Sequence, residues 1–132
     1  MPSQTTAVAR VLIVHDNASV ADTFARTLRL QGYEIWAAPS ADEGLTLAQV
    51  HCPNAIILDL RMPLAASLSF LRTIRTIPGL GAIPVAIVTG DYHLDESQEQ
   101  EVQALGAQLH FTPLWIDELV TLARDLVIPP RD

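Results

Sequence analysis

The chain has 132 residues, 49% of them hydrophobic, with 15 acidic against 8 basic side chains and a net charge of −7. That is the size of a single domain, residues 1–132 with a core over about 9–127, able to build its interior without staples, and the lone Cys52 excludes an internal disulfide framework. The acidic balance disfavours direct binding to nucleic acid or an anionic membrane; no apolar run is long enough to span a bilayer, and the short polar N-terminus lacks a secretory h-region, so a cytoplasmic location is expected.

Along the chain, short apolar runs alternate with longer amphipathic ones. A first strand is predicted over about Val11 to His15, followed by a helix from about Ser19 to Leu30 in which Val20, Phe24 and Leu28 form an i, i+4, i+8 stripe ended by Gly32. A second strand, Glu34 to Ala37, leads through Ser40 as N-cap into a helix carrying Leu45, Leu47, Ala48 and Val50. Pro53 and Asn54 punctuate the entry to a third strand, Ala55 to Asp59, and Cys52 beside them is expected to be buried. The third helix spans about Ser67 to Thr76, with Leu68, Leu71 and Ile74 inward and Arg72 and Arg75 on the other face. Pro78, Gly79 and Gly81 break it before a fourth strand, Val85 to Thr89. An acidic helix follows, with Asp95, Glu96, Glu99 and Glu101 facing water and Val102 and Leu105 facing in, closed by Gly106. A short fifth strand, Gln108 to Phe111, precedes a last helix, Ile116 to Val127, that packs Leu119, Leu122, Ala123 and Leu126 before Pro129 and Pro130. Five strand-helix units imply a parallel sheet covered on both faces.

The apolar run Ala55-Ile56-Ile57-Leu58 stops abruptly at Asp59, and Val11-Leu12-Ile13-Val14 leads to His15 and Asp16. In an open α/β sheet, ligands bind outside the C-terminal ends of the strands, where successive connections leave on opposite faces. Two acids on such ends make an anionic site suited to a hard divalent cation. Thr89, followed by Gly90, ends the fourth strand, and Thr112-Pro113 follows the fifth.

Taken together, these strand ends resemble the receiver domain of two-component response regulators, over about residues 9 to 127. The matching motifs are LDLRMP around Asp59, IVTG around Thr89, TPLW from Thr112 to Trp115, and Leu105-Gly106-Ala107 before the fifth strand. The resemblance implies a flavodoxin-like doubly wound (βα)5 fold with strand order 2-1-3-4-5. It also implies Asp59 as phosphoacceptor, Thr89 as a hydroxyl bonding the phosphoryl group, and Mg²⁺ held by Asp16, Asp59 and the backbone carbonyl of Arg61. A histidine kinase or histidine phosphotransfer protein would supply the phosphoryl group, and a downstream protein effector would read it. Such a chain is a switch and not an enzyme, with slow self-dephosphorylation as a timer. A haloacid-dehalogenase-type phosphohydrolase also places an Asp after a strand, but wants an acid two residues later, where this chain has Arg61.

Three departures from the resembled pattern bear on function. His15 stands where that family has the first acid of its pair, leaving Asp16 as the direct metal ligand; its imidazole is a candidate ligand that keeps Mn²⁺ open as the cation. Thr112 stands in place of the lysine, and a hydroxyl cannot supply an ammonium's charge. Leu109 replaces the usual aromatic switch residue. The alternative function is therefore a degenerate, phosphorylation-independent receiver acting as a protein interaction module.

Overall fold

The computed structural model describes residues 8–59, 64–90, 95–111 and 114–127. In chain order the elements are β1 (Arg10–His15), α1 (Ala18–Leu30), β2 (Glu34–Ala38), α2 (Ala41–His51), β3 (Ala55–Asp59), α3 (Leu64–Thr76), β4 (Val85–Thr89), α4 (Glu96–Ala104), β5 (Gln108–Phe111) and α5 (Ile116–Val127). All neighbouring strands pair in parallel, in the order β2-β1-β3-β4-β5. This is the flavodoxin-like doubly wound arrangement, with β1 and β3 adjacent where the winding reverses.

The central strands are apolar at every interior position because both of their faces are covered, the usual signature of a parallel sheet. Successive side chains point to opposite faces. Leu12, Val14, Ile56, Leu58, Val85 and Ile87 therefore join Ala48, Leu68, Leu71, Ile74 and Val102 in one core, with α2, α3 and α4. Val11, Ile13, Ala55, Ile57, Ala86 and Val88 join Phe24, Leu28, Leu119, Leu122 and Leu126 in the other, with α1 and α5. Among the described residues, no helix is long and apolar enough to cross a membrane.

Local chemistry sets most helix ends. Asn17 caps α1, its side chain accepting from the Val20 N–H, and Ser40 caps α2 by accepting from the Glu43 N–H. Asp95 and Gln98 form a reciprocal capping box on α4. Helix α1 thus begins one residue before the expected Ser19, because Asn17 is the better cap. Helix α3 begins at Leu64, three residues before the expected Ser67; Ser67 is buried inside it instead of standing at its start.

Two expectations about individual side chains, those for Cys52 and Glu101, are corrected. Cys52 is exposed, not buried: it ends α2 in the left-handed conformation (φ 48°), its N–H donating to the Ala48 carbonyl, and this turn directs its side chain to the surface. Val50 lies on the outer side of α2 and is exposed. Glu101 does not simply face water; it forms a two-pronged ion pair with Arg72, tying α4 to α3. Beside it, the Arg75 guanidinium donates to the carbonyls of Leu105 and Ile83, each at 2.7 Å, and pins the end of α3 to the exit of α4 and the approach to β4.

Candidate functional site at the C-terminal ends of β1, β3 and β4

The parallel register sets His15 directly beside Asp59 at the C-terminal ends of β1 and β3, and Asp59 beside Val88, one residue before Thr89. All three polar residues are inside the fold: His15 is 5%, Asp59 8% and Thr89 2% exposed. Asp16, one residue beyond β1, has a more open side chain, 32% exposed. A carboxylate buried as deeply as Asp59 needs polar company, since removing its charge from water is costly.

His15 provides that company. Its Nε2 lies 3.3 Å from Asp59 Oδ2, while Nδ1 lies 3.6 Å from Asp16 Oδ1. The backbone N–H of Asn17 donates to Nδ1 at 3.0 Å. A neutral imidazole carries one proton, and a nitrogen that accepts a hydrogen bond does not carry it. The proton of neutral His15 is therefore on Nε2, the ring nitrogen 3.3 Å from Asp59 Oδ2. The ring is held from the side by Phe24, edge-on with centroids 5.8 Å apart. Asn17 is the residue that inspection of the sequence for site chemistry overlooks. Its signal is legible, since an Asn two positions after a strand and just before a helical run reads as an N-cap, but its hold on His15 requires the folded turn.

The structure thus brings His15, Asp16, Asp59 and Thr89 to neighbouring strand ends. Arg61, expected to offer a carbonyl to the metal, and Thr112, at the usual lysine position, lie outside the described residues, as do Pro113 and His93. The remaining histidines stand elsewhere. His51 stacks on Trp36 with centroids 4.1 Å apart, and His110 contacts Gln108. Burial pushes the His110 imidazole below its ordinary value, opposed by the charge of Glu118.

A second surface feature lies between β5 and α5, a groove of about 330 Å³ lined in part by His110, Leu114, Asp117 and Glu118. Phe111, Trp115 and Ile116 are exposed on the same two elements and the turn between them, Trp115 to 62%. Aromatic side chains left exposed on a surface are enriched where proteins bind one another.

A doubly wound sheet with a buried carboxylate at its switch point defines a class of small α/β switch and binding domains. Within that class this chain belongs to the response regulator receiver domain family, whose model matches residues 11–122. Relatives include the transcriptional regulatory protein PrrA of Mycobacterium tuberculosis, 32% identical over 87 residues (66% of this chain, 36% of PrrA). Another is the cell cycle transcriptional regulator CtrA of Caulobacter vibrioides, 28% identical over 112 residues (84% of this chain, 47% of CtrA). The chain spans between a third and a half of the length of these two regulators. Among solved structures, the chemotaxis protein CheY4 of Vibrio cholerae superimposes with a TM-score of 0.78 at 27% identity, covering 91% of this chain and 99% of that one. A response regulator receiver protein from Pseudomonas putida gives 0.75 at 27% identity, covering 92% and 99%.

Receiver domains generally bind Mg²⁺ at their acidic pocket. Magnesium demands near-octahedral oxygen donors at short range and gives up its waters reluctantly. Here a protonated ring nitrogen lies 3.3 Å from Asp59 Oδ2, and the other ring nitrogen is committed to Asn17. Among the described residues, no three His, Cys, Asp or Glu side chains gather closely enough to hold a metal. With the His15 ring set beside Asp59, the described side chains do not by themselves complete a Mg²⁺ site.

Proposed function

We propose that this chain is the receiver module of a cytoplasmic phosphorelay, accepting a phosphoryl group on Asp59 from a histidine kinase or histidine phosphotransfer protein and signalling through a protein partner. The observation that carries the reading is Asp59 itself: a buried carboxylate ending the central strand of a receiver fold, with His15 beside it and Thr89 on the next strand. In the transfer, an Asp59 oxygen bonds to phosphorus as the donor's phosphorus–nitrogen bond breaks, the bond's electron pair stays on the donor's ring nitrogen, and the imidazole, already protonated at its other nitrogen, leaves neutral. Phosphoryl transfer needs little more from the protein than positioning and charge stabilisation. Because His15 faces Oδ2, Oδ1 is the oxygen left to attack; the Thr89 hydroxyl is a donor for the developing charge. The product carries nearly two negative charges where the carboxylate carried one, a net gain of about one on a chain already at −7, at the C-terminal edge of the sheet. The β5–α5 surface with Trp115 and Phe111 is the surface through which a protein effector reads the change.

The test is intact-mass spectrometry after incubation with acetyl phosphate, or with a phosphorylated histidine kinase, in Mg²⁺, in Mn²⁺ and in chelator. The expected result is one added phosphoryl group in the parent and none in Asp59→Asn. The absence of any gain from either donor under all three conditions refutes the reading. It would favour the second one, a phosphorylation-independent interaction module, which His15 in place of an acid and Thr112 in place of lysine support.

A further inference from the structure

We infer that His15 fills the metal seat beside Asp59, so that the chain sets its own imidazole, instead of a divalent cation, against this carboxylate. The inference rests on Asp59 being the working carboxylate of the site. Four observations carry it. The register of β1 against β3 makes His15 the lateral neighbour of Asp59, so its ring occupies space next to that carboxylate and not space elsewhere in the pocket. The Asn17 N–H at Nδ1 sets the proton on Nε2, 3.3 Å from Asp59 Oδ2. In this tautomer neither ring nitrogen has a lone pair free for a metal, so His15 cannot act as a ligand without breaking the Asn17 hydrogen bond. Finally, the ring is buried and wedged against Phe24, so vacating the seat means exposing an aromatic contact of the α1 core.

A neutral imidazole carries no net charge and acts on the carboxylate only as a dipole, a weaker influence than a doubly charged ion, but it is permanently in place and needs no dehydration. Restoring an acid at position 15 exchanges a donor for an oxygen ligand and reopens the seat.

The experiment is Mg²⁺ binding by isothermal titration calorimetry on the parent, His15→Asp, His15→Gln and Asp59→Asn, which requires no phosphoryl transfer and so remains readable if phosphorylation of Asp59 fails. Mg²⁺ is expected to bind His15→Asp at least about ten-fold more tightly than the parent, while His15→Gln, which keeps an N–H donor, stays within about two-fold of it. Parent affinity within about two-fold of His15→Asp, and lost in Asp59→Asn, overturns the inference. Should His15→Asp fail to fold, nitrogen–proton correlation spectra of the parent imidazole in mildly alkaline buffer decide. An Nε2-protonated ring indifferent to millimolar Mg²⁺ supports the inference. An Nδ1-protonated ring, or one whose signals move with Mg²⁺, overturns it.

Discussion

Gly44, in the middle of α2, carries no side chain for a reason that can be put to a quantitative test. A Cβ added there would lie 2.8 Å from Val14 Cγ2 and 3.3 Å from Phe70 Cε2. Neither neighbour has room to give way: Val14 is fully buried, Phe70 nearly so, and a β-branched side chain has one strongly preferred rotamer. Gly44→Ala therefore sets two terms against each other. Helix propensity favours alanine by about 1 kcal/mol. Forcing an extra methyl into a packed core costs about 1–3 kcal/mol. The expected net loss is about 1 kcal/mol, a fall in Tm of roughly 3 °C for a chain of this size. In a Val14→Ala background the closer obstruction is gone and only the Phe70 contact at 3.3 Å remains, so the same substitution should be about neutral, a coupling of about 1 kcal/mol between the two positions. Urea unfolding of the parent, both single variants and the double variant closes the cycle, provided the m-values agree. Stabilisation of the parent by Gly44→Ala, or an equal cost in both backgrounds, refutes the claim that Val14 sets the size limit between α2 and β1.

Other substitutions probe the ties between helices and sheet. Arg75→Met should cost about 2–4 kcal/mol in urea unfolding, because the carbonyls of Leu105 and Ile83 lose a charged donor; a loss near zero would mean that water replaces it fully. Asn17→Ala should cost about 1 kcal/mol through the lost cap of α1, and Asn17→Asp, which keeps the accepting oxygen, should cost much less; equal losses would refute the capping role. Hydrogen bonding to Arg72 holds the Glu101 carboxyl below its ordinary value of 4.5. A depressed acid contributes stability that is complete above its unfolded value and is lost as pH falls through the folded one. The Tm advantage of the parent over Glu101→Gln should therefore hold at neutral pH and vanish as the pH is taken below 4.5, and a difference independent of pH would contradict the pairing.

Much of this arrangement is legible in the sequence where one physical rule dominates. Val11 to Val14 and Ala55 to Leu58 are uninterrupted apolar runs because both faces of those strands are covered, and the polar residues that end them mark the sheet edge without ambiguity. Strand boundaries accordingly fall within a residue or so of those expected. Helix starts are harder. Ser67 has the chemistry of a cap, yet the chain enters α3 three residues earlier and buries it. Cys52 reads as a core residue by type, but the left-handed turn that ends α2 decides its exposure, and a backbone angle leaves no mark on composition. At the candidate site, His15, Asp16, Asp59 and Thr89 are all recognisable as strand-end residues. What the linear pattern does not contain is the tautomer of His15, because that depends on the Asn17 N–H folding back onto Nδ1. The pairing of Glu101 with Arg72 escapes for the same reason, the two being 29 residues apart.

The division of each central strand between two cores bears on how this protein tolerates change. Ile57 and Leu58 are neighbours in the chain, yet one packs with α1 and α5 and the other with the helices across the sheet. Damage at Ile57 is open to repair by enlarging a residue such as Leu119 or Leu122, and damage at Leu58 by enlarging one such as Leu68 or Ile74. Second-site suppressors should therefore segregate into two groups according to the face of the sheet on which the first lesion lies, with the hydrogen-bonded sheet as the partition between them.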